Sequence, residues 1–222
     1  MRSRFIKQLS RLNKELIEMG ALCELAIKTV SEALANRDFE LAETLFSIDE
    51  EIDQKERDIE SLSLKLLLRQ QPVAGDLRQI SAALKMITDL ERIGDQAEDI
   101  AEIIVHLTEK DDDLEAELSG MADATMKMVT DSVDAYVKRD PELARAVLAA
   151  DDVVDNYFSS IKKDLISAVA ADPEAGEYAL DLLMIAKYYE RIGDHAVNVA
   201  EWVIFAITGI HRTTEYEERL SE

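Results

Sequence analysis

Four acids of the segment ERIGDQAEDIAE, namely Glu91, Asp95, Glu98 and Glu102, are spaced by four, three and four residues. On an α-helix that spacing puts them on one face. A second segment, ERIGDHAVNVAE, has Glu190, Asp194 and Glu201 at the matching places and Val197 instead of the third acid. Asp99 and Asn198 lie just beside the two stripes. Upstream of each stripe stands a further i, i+4 pair, Asp49 with Asp53 and Asp151 with Asp155. Like charges at this spacing destabilise a helix by roughly a few tenths of a kcal/mol, and two such pairs facing each other across helices repel further. Converging carboxylates without Cys, and with no regular His, are the ligand set of a hard cation: Mg, Mn, Ca or an oxygen-ligated iron. Bridging carboxylates can hold more than one such ion.

A solvated acidic face would explain any one of these pairs in so acidic a chain. It does not explain why the same acids stand at the same places in two segments that have otherwise diverged. Gly94 and Gly193 occupy the same position inside each ERIGD. A mid-helix glycine costs about 1 kcal/mol relative to alanine and marks a close approach, either plain helix packing or room at a metal site. Arg92 and Arg191 lie one residue, hence about 100°, from the acidic stripe and are expected to form surface or interface pairs rather than to neutralise the stripe. His106, His195 and His211 show no ligand spacing and are expected to be surface or capping residues.

These faces need long helices to hold them. Apolar residues recur at three and four spacing through LNKELIEMGALCELAIKTVSEAL, then from Phe39 to Leu68 and from Leu77 to Leu107. Breaks fall at ANRD around Asn36 and at QQPVAGD, where Pro72 and Gly75 end one helix and Asp76 is placed to cap the next. The acidic, core-poor run EKDDDLEAELSG is the expected boundary between units 1–110 and 111–222. Beyond it come a helix to about Tyr136, one from Glu142 to about Ala170 after KRDP, and a last one to about Ile207. The halves repeat in letters too: RDFELAETLFSIDEEID aligns with RDPELARAVLAADDVVD at an offset of 102, and the two ERIGD segments share 8 of 12 letters at an offset of 99. The expectation is an all-α protein with six long helices in two tandem three-helix bundles.

Composition narrows the function. With 47 acidic and 25 basic residues the net charge is −22, which opposes direct binding of nucleic acid. The N-terminus carries no apolar signal segment, and the stretch from Trp202 to Ile210 is too short to span a bilayer. The reading is a cytoplasmic protein that meets membranes only through partners. Cys23, alone in the sequence, lies among apolar residues and is expected in the core. Met19, Met86, Met121, Met126, Met128 and Met184 are expected there as well, and Tyr188, Tyr189, Trp202 and Phe205 in the core or a dimer contact.

The QPVAGDLR turn from Gln71 to Arg78, ITDLERIGDQAEDIAE after it, and the diverged copy YYERIGDHAVNVAE together resemble the PhoU family over essentially the whole chain. The resemblance implies two three-helix bundles side by side, and multinuclear metal clusters held by paired acidic motifs. Those motifs map onto Asp49, Asp53, Glu91, Asp95, Asp151, Asp155, Glu190 and Asp194, with Asp99, Glu102, Asn198 and Glu201 as further candidates. The metal it implies is divalent or iron, among Fe, Mn, Mg and Zn. It also implies a negative regulator of phosphate uptake and phosphate-starvation signalling, acting on the Pst ABC transporter and a PhoR-type histidine kinase, in a chain expected to form a homodimer.

Two rival functions remain open on the residues alone. A carboxylate-bridged metal enzyme of the di-iron type needs Glu-x-x-His, and no Glu here has a His three residues later. Neither GxSxG nor a P-loop is found. The other rival is a metal-free helical scaffold whose acidic stripes are simply wet.

Overall fold

The computed structural model describes residues 2–70, 72–107 and 112–210. Gln71 of the turn motif, the expected boundary at 110/111 and His211 lie outside the described residues. Among those described there is no strand, and the chain runs through α1 (Arg2–Asn36), α2 (Phe39–Glu43), α3 (Leu45–Gln70), α4 (Ala74–His106), α5 (Asp112–Lys138), α6 (Pro141–Ala171) and α7 (Gly176–Thr208). At 1.5 Å per residue the longer helices span about 50 Å.

α1, α4, α7 and α5 pack in a ring, each on the next, while α3 lies against α1 and α4, and α6 lies against α5 and α7. One continuous apolar core runs through them, from Leu12, Met19 and Cys23 of α1 to Ile192, Val199 and Val203 of α7. Cys23 is fully buried and its thiol donates to the Leu90 carbonyl. Met184 departs from the core expectation at 44% exposure, because it faces outward from α7. α3 is tied to α1 by Lys55, whose ammonium lies 2.8 Å from Glu15 and also contacts Glu18.

Corresponding turns end the first helix of each half. Arg37 and Arg139 take positive φ of 55° and 54°. The next amide reaches back five residues, Asp38 to Ala33 at 3.0 Å and Asp140 to Ala135 at 2.9 Å, which closes a Schellman turn in each. Asp38 then caps α2, accepting from the Leu41 amide, and Asp140 caps α6, accepting from those of Glu142 and Leu143.

Two expected boundaries shift. α4 starts at Ala74 with no side-chain cap, and Asp76 sits in its first turn, where a negative charge complements the helix dipole. The expected helix from Phe39 is interrupted at Thr44. There the Thr44 hydroxyl donates to the Leu41 carbonyl at 2.6 Å and the Ser47 hydroxyl to that of Thr44 at 2.8 Å, so side chains compete with the helical ladder. The second half has Ala146 and Ala149 at those places, and α6 runs unbroken.

Candidate carboxylate site

The seam between α3 and α4 gathers acids from both helices. Asp49 faces Glu98, Asp95, Asp53 and Glu91, and its carboxyl is pushed up to about 7, first by burial and then by these like charges. Its Oδ1 is buried and has no hydrogen-bond partner. Burial and Asp95 raise Glu91, against the pull of Arg92. Glu98 is raised by burial and by Glu102 and Asp95. Gly94 makes this approach possible, since a Cβ there would stand 2.7 Å from Asp49 Oδ1 and 3.0 Å from Ile52 Cδ1.

Arg92 is exposed, as expected, but contrary to expectation it partners the acids of the stripe. Its side chain folds back along α4, donating from Nη1 to Asp95 Oδ2 at 2.6 Å with Nε 3.5 Å from Glu91 Oε2. Its long stem spans the angular offset from the acidic stripe. Arg57 pairs in the same way with Asp53 at 3.1 Å.

The seam between α6 and α7 repeats the plan more loosely. Asp151 is raised by burial, then by Asp155 and Asp194. Asp194 is raised by burial and Glu190, opposed by Lys187. Lys187 contacts Glu190 directly. Gly193 has more room than Gly94, its nearest neighbour being Val154 Cγ1 at 3.4 Å.

The four further candidates lie elsewhere. Asn198 donates to Asp89 Oδ1 at 3.0 Å, and His195 Nδ1 stands 3.0 Å from the same oxygen, so both look across from α7 to α4. That removes His195 from a merely superficial role. Asp99 is raised by burial, Glu102 and Asp95, and Arg191 from α7 opposes the rise, so Asp99 also faces the seam between α4 and α7. Glu102 is exposed and borders a groove with Glu43, Phe46 and Asp181, while Glu201 is half-buried on α7.

Among the described residues no three His, Cys, Asp or Glu side chains close up far enough to ligate one ion. The geometry therefore brings the predicted acids together seam by seam as neighbours that repel, with one orphaned oxygen at Asp49. Sequence reasoning missed Asp89, Glu56 and Lys187. Glu56 continues the Asp49 and Asp53 spacing by one more turn, a signal that was available. Asp89 has Tyr188 at its matching place, so the repeat gave no hint of it.

A three-helix unit repeated in one chain, with a carboxylate seam at the same place in each copy, defines a duplicated helical-bundle protein. The family model described as "PhoU domain" matches it twice, at residues 16–104 and 118–203. A Clostridium acetobutylicum "phosphate-specific transport system accessory protein PhoU homolog" is 39% identical over 207 residues, covering 92% of this chain and 94% of that protein. The crystal structure of PhoU from Pseudomonas aeruginosa superposes with a TM-score of 0.86 at 33% identity, covering 93% of this chain and 100% of that one. That of the phosphate transport system regulatory protein PhoU from Streptococcus pneumoniae gives 0.85 at 26% identity, covering 93% and 98%. The chain belongs to the PhoU family.

Proposed function

We propose that this chain is an accessory regulator of a phosphate-specific transport system, restraining phosphate uptake and starvation signalling by docking on the Pst transporter and a PhoR-type kinase. Full-length similarity to relatives bearing that description supports the transport role. The protein works in the cytoplasm as a homodimer. No described helix is long and apolar enough to cross a membrane, which fits contact with the transporter by docking. The division into units 1–110 and 111–222 belongs to the same proposal, each unit carrying one seam.

Within that role the seams would bind divalent or iron cations once their acids close further than they do here, with Asp49, Asp53, Glu91 and Asp95 as the ligands of the first half and Asp151, Asp155, Glu190 and Asp194 as those of the second. The orphaned, buried Asp49 Oδ1 among like charges carries this reading, because a cation is a partner that this oxygen lacks. Bound there, an ion would supply the positive charge that draws α3 to α4 and α6 to α7. The acids hold the helix faces in register, and the outer surface they fix is what a partner meets.

A metal-free scaffold is the second reading, favoured by the ion pairs Arg92 with Asp95 and Lys187 with Glu190. Elemental analysis of protein purified without chelator, beside a variant with Asp49, Asp53, Glu91 and Asp95 changed to Asn or Gln, separates the two. Metal that falls in the variant, with a melting temperature raised by added Mn²⁺, supports the cation reading; neither effect leaves the scaffold. For the regulatory role, neutralising all eight acids should derepress a phosphate-starvation reporter in cells. An unchanged reporter would sink the link between the seams and regulation.

A further inference from the structure

The duplication marks exposed apolar side chains that the fold does not require. Toward the start of α7, Leu180 and Met184 are 63% and 44% exposed. At the offset of 99 the first half has Ser81 and Lys85 in their places, so the same packed helix tolerates polar residues there. Beside them α6 presents Ile166, also 63% exposed. Leucine at 180 and methionine at 184 therefore need a reason outside the bundle.

Two grooves flank these residues. Between α6 and α7 a cavity of about 390 Å³ is walled by Ile166 and Val169 on one side and by Leu180 and Leu183 on the other, and α6 also brings Lys162 to its wall. Across α7 lies a groove of about 560 Å³ lined by Glu43, Phe46, Glu102, His106 and Asp181. Leu180 and Asp181 are adjacent in sequence, so α7 is the ridge between the two. Its outward face, at i, i+3, i+4 and i+7, reads Glu177, Leu180, Asp181 and Met184, and apolar and acidic side chains alternate along it. Burial and Glu177 raise the Asp181 carboxyl against the pull of His106, so the acids of this strip repel one another.

We propose that this strip and the α6–α7 groove dock an amphipathic helix of a partner, its apolar side seated on Ile166, Leu180 and Met184 and a side rich in lysine or arginine over Glu177, Asp181 and Glu102. The proposal rests on the docking role given above and names the face and the kind of segment it takes. A helix laid in a groove is held by apolar anchors at i, i+3 or i+4, and i+7, and the α6–α7 groove offers apolar seats for them. Charge selects the occupant. At this acidic strip an anionic bilayer or a second copy of the chain, itself at −22, is repelled, while a basic helix is attracted. Lys162 on the α6 wall turns the basic side toward α7.

The probe is a labelled synthetic peptide of about 18 residues, leucine on one helical face and lysine on the other, added to the full chain and followed by fluorescence anisotropy. Wild type should bind it and should not bind the counterpart with glutamate for lysine. Leu180→Ser/Met184→Ser, which leaves the charge and the buried core intact, should weaken binding at least about tenfold without moving the melting temperature. Glu177→Gln/Asp181→Asn should weaken it and flatten its salt dependence, whereas Leu68→Ser, at a side chain 83% exposed on α3, should change nothing. Binding unmoved by Leu180→Ser/Met184→Ser, equal binding of both peptides, or no binding at all would overturn the inference. In cells, deleting the gene should derepress a phosphate-starvation reporter, and Leu180→Ser/Met184→Ser should do the same. A reporter that responds to deletion alone keeps the regulatory role and overturns the docking face. One that responds to neither overturns the role, and the peptide result then decides the face.

Discussion

Arg37 donates from Nη2 to the Tyr178 hydroxyl at 3.0 Å, and Arg139 makes the reciprocal contact, from Nη1 to Gln79 Oε1 at 3.3 Å. The two arginines are related by the offset of 102 and their acceptors by that of 99, so each half reaches from its first turn to the third helix of the other. The Arg37 guanidinium also lies 5.7 Å from the centroid of the Tyr178 ring. Both arginines hold left-handed backbones, which cost a non-glycine residue about 1 kcal/mol. Glycine would suit the turn better; arginine makes the bridge.

That conflict predicts an ordering. Arg37→Ala keeps the backbone cost and loses the bridge, so urea unfolding should show about 1–2 kcal/mol of lost stability. Arg37→Gly loses the bridge but relaxes the turn and should be about 1 kcal/mol less damaging. Equal losses would show that the left-handed turn carries no cost.

The two ERIGD glycines should respond in opposite ways. Gly94→Ala drives a methyl into Asp49 Oδ1 and Ile52 and should destabilise the fold by about 1–3 kcal/mol, with weaker Mn²⁺ binding. Gly193→Ala meets its nearest atom at 3.4 Å and should be neutral or stabilising by up to about 1 kcal/mol. Thermal denaturation of both variants decides it.

Asp49 gives the fold a pH dependence whose sign is fixed. Its folded carboxyl sits at about 7, above an unfolded value near 3.8, so between those values the folded state binds more protons and stability falls as pH rises. Asp49→Asn should stabilise metal-free protein by about 1–2 kcal/mol at pH 8 and hardly at all near pH 4. That is less than the full shift would give, because the half-exposed seam is partly screened by water. Mn²⁺ affinity of wild type should climb with pH up to about 7, since metal and proton compete for the same oxygen. Stability profiles of the two chains in EDTA that run parallel from pH 4 to 8 would contradict the assignment.

Hydroxyl competition at the α2–α3 break is testable separately. Thr44→Ala with Ser47→Ala, the residues of the second half, should join α2 to α3 and slow amide exchange at residues 44–48. Stability should rise by about 0.5 kcal/mol. Exchange rates that stay fast would place the cause of the break elsewhere.

Most of the architecture could be read from the sequence because periodicity, caps and an internal repeat pointed the same way. The turns at ANRD and KRDP fall where the letters placed them, and the acids of the first seam do gather around Asp49. The interruption at Thr44 was hidden, since hydroxyl competition leaves hydrophobic spacing intact. The pairing of Arg92 with the stripe was missed because residue angle alone ignores how far a guanidinium can fold back. Asp89 with His195 and Asn198 depends on how α4 meets α7, which no single helix encodes.

The crossed contacts of Arg37 and Arg139 have the form of an isologous interface, in which patch A meets patch B and B meets A about a twofold axis. Within one polypeptide that form reads as a dimer whose subunits have been joined end to end. A lone half would present the faces of α1 and α4 that α5 and α7 now cover. Cut free, it would expose that apolar surface to pair with itself or precipitate.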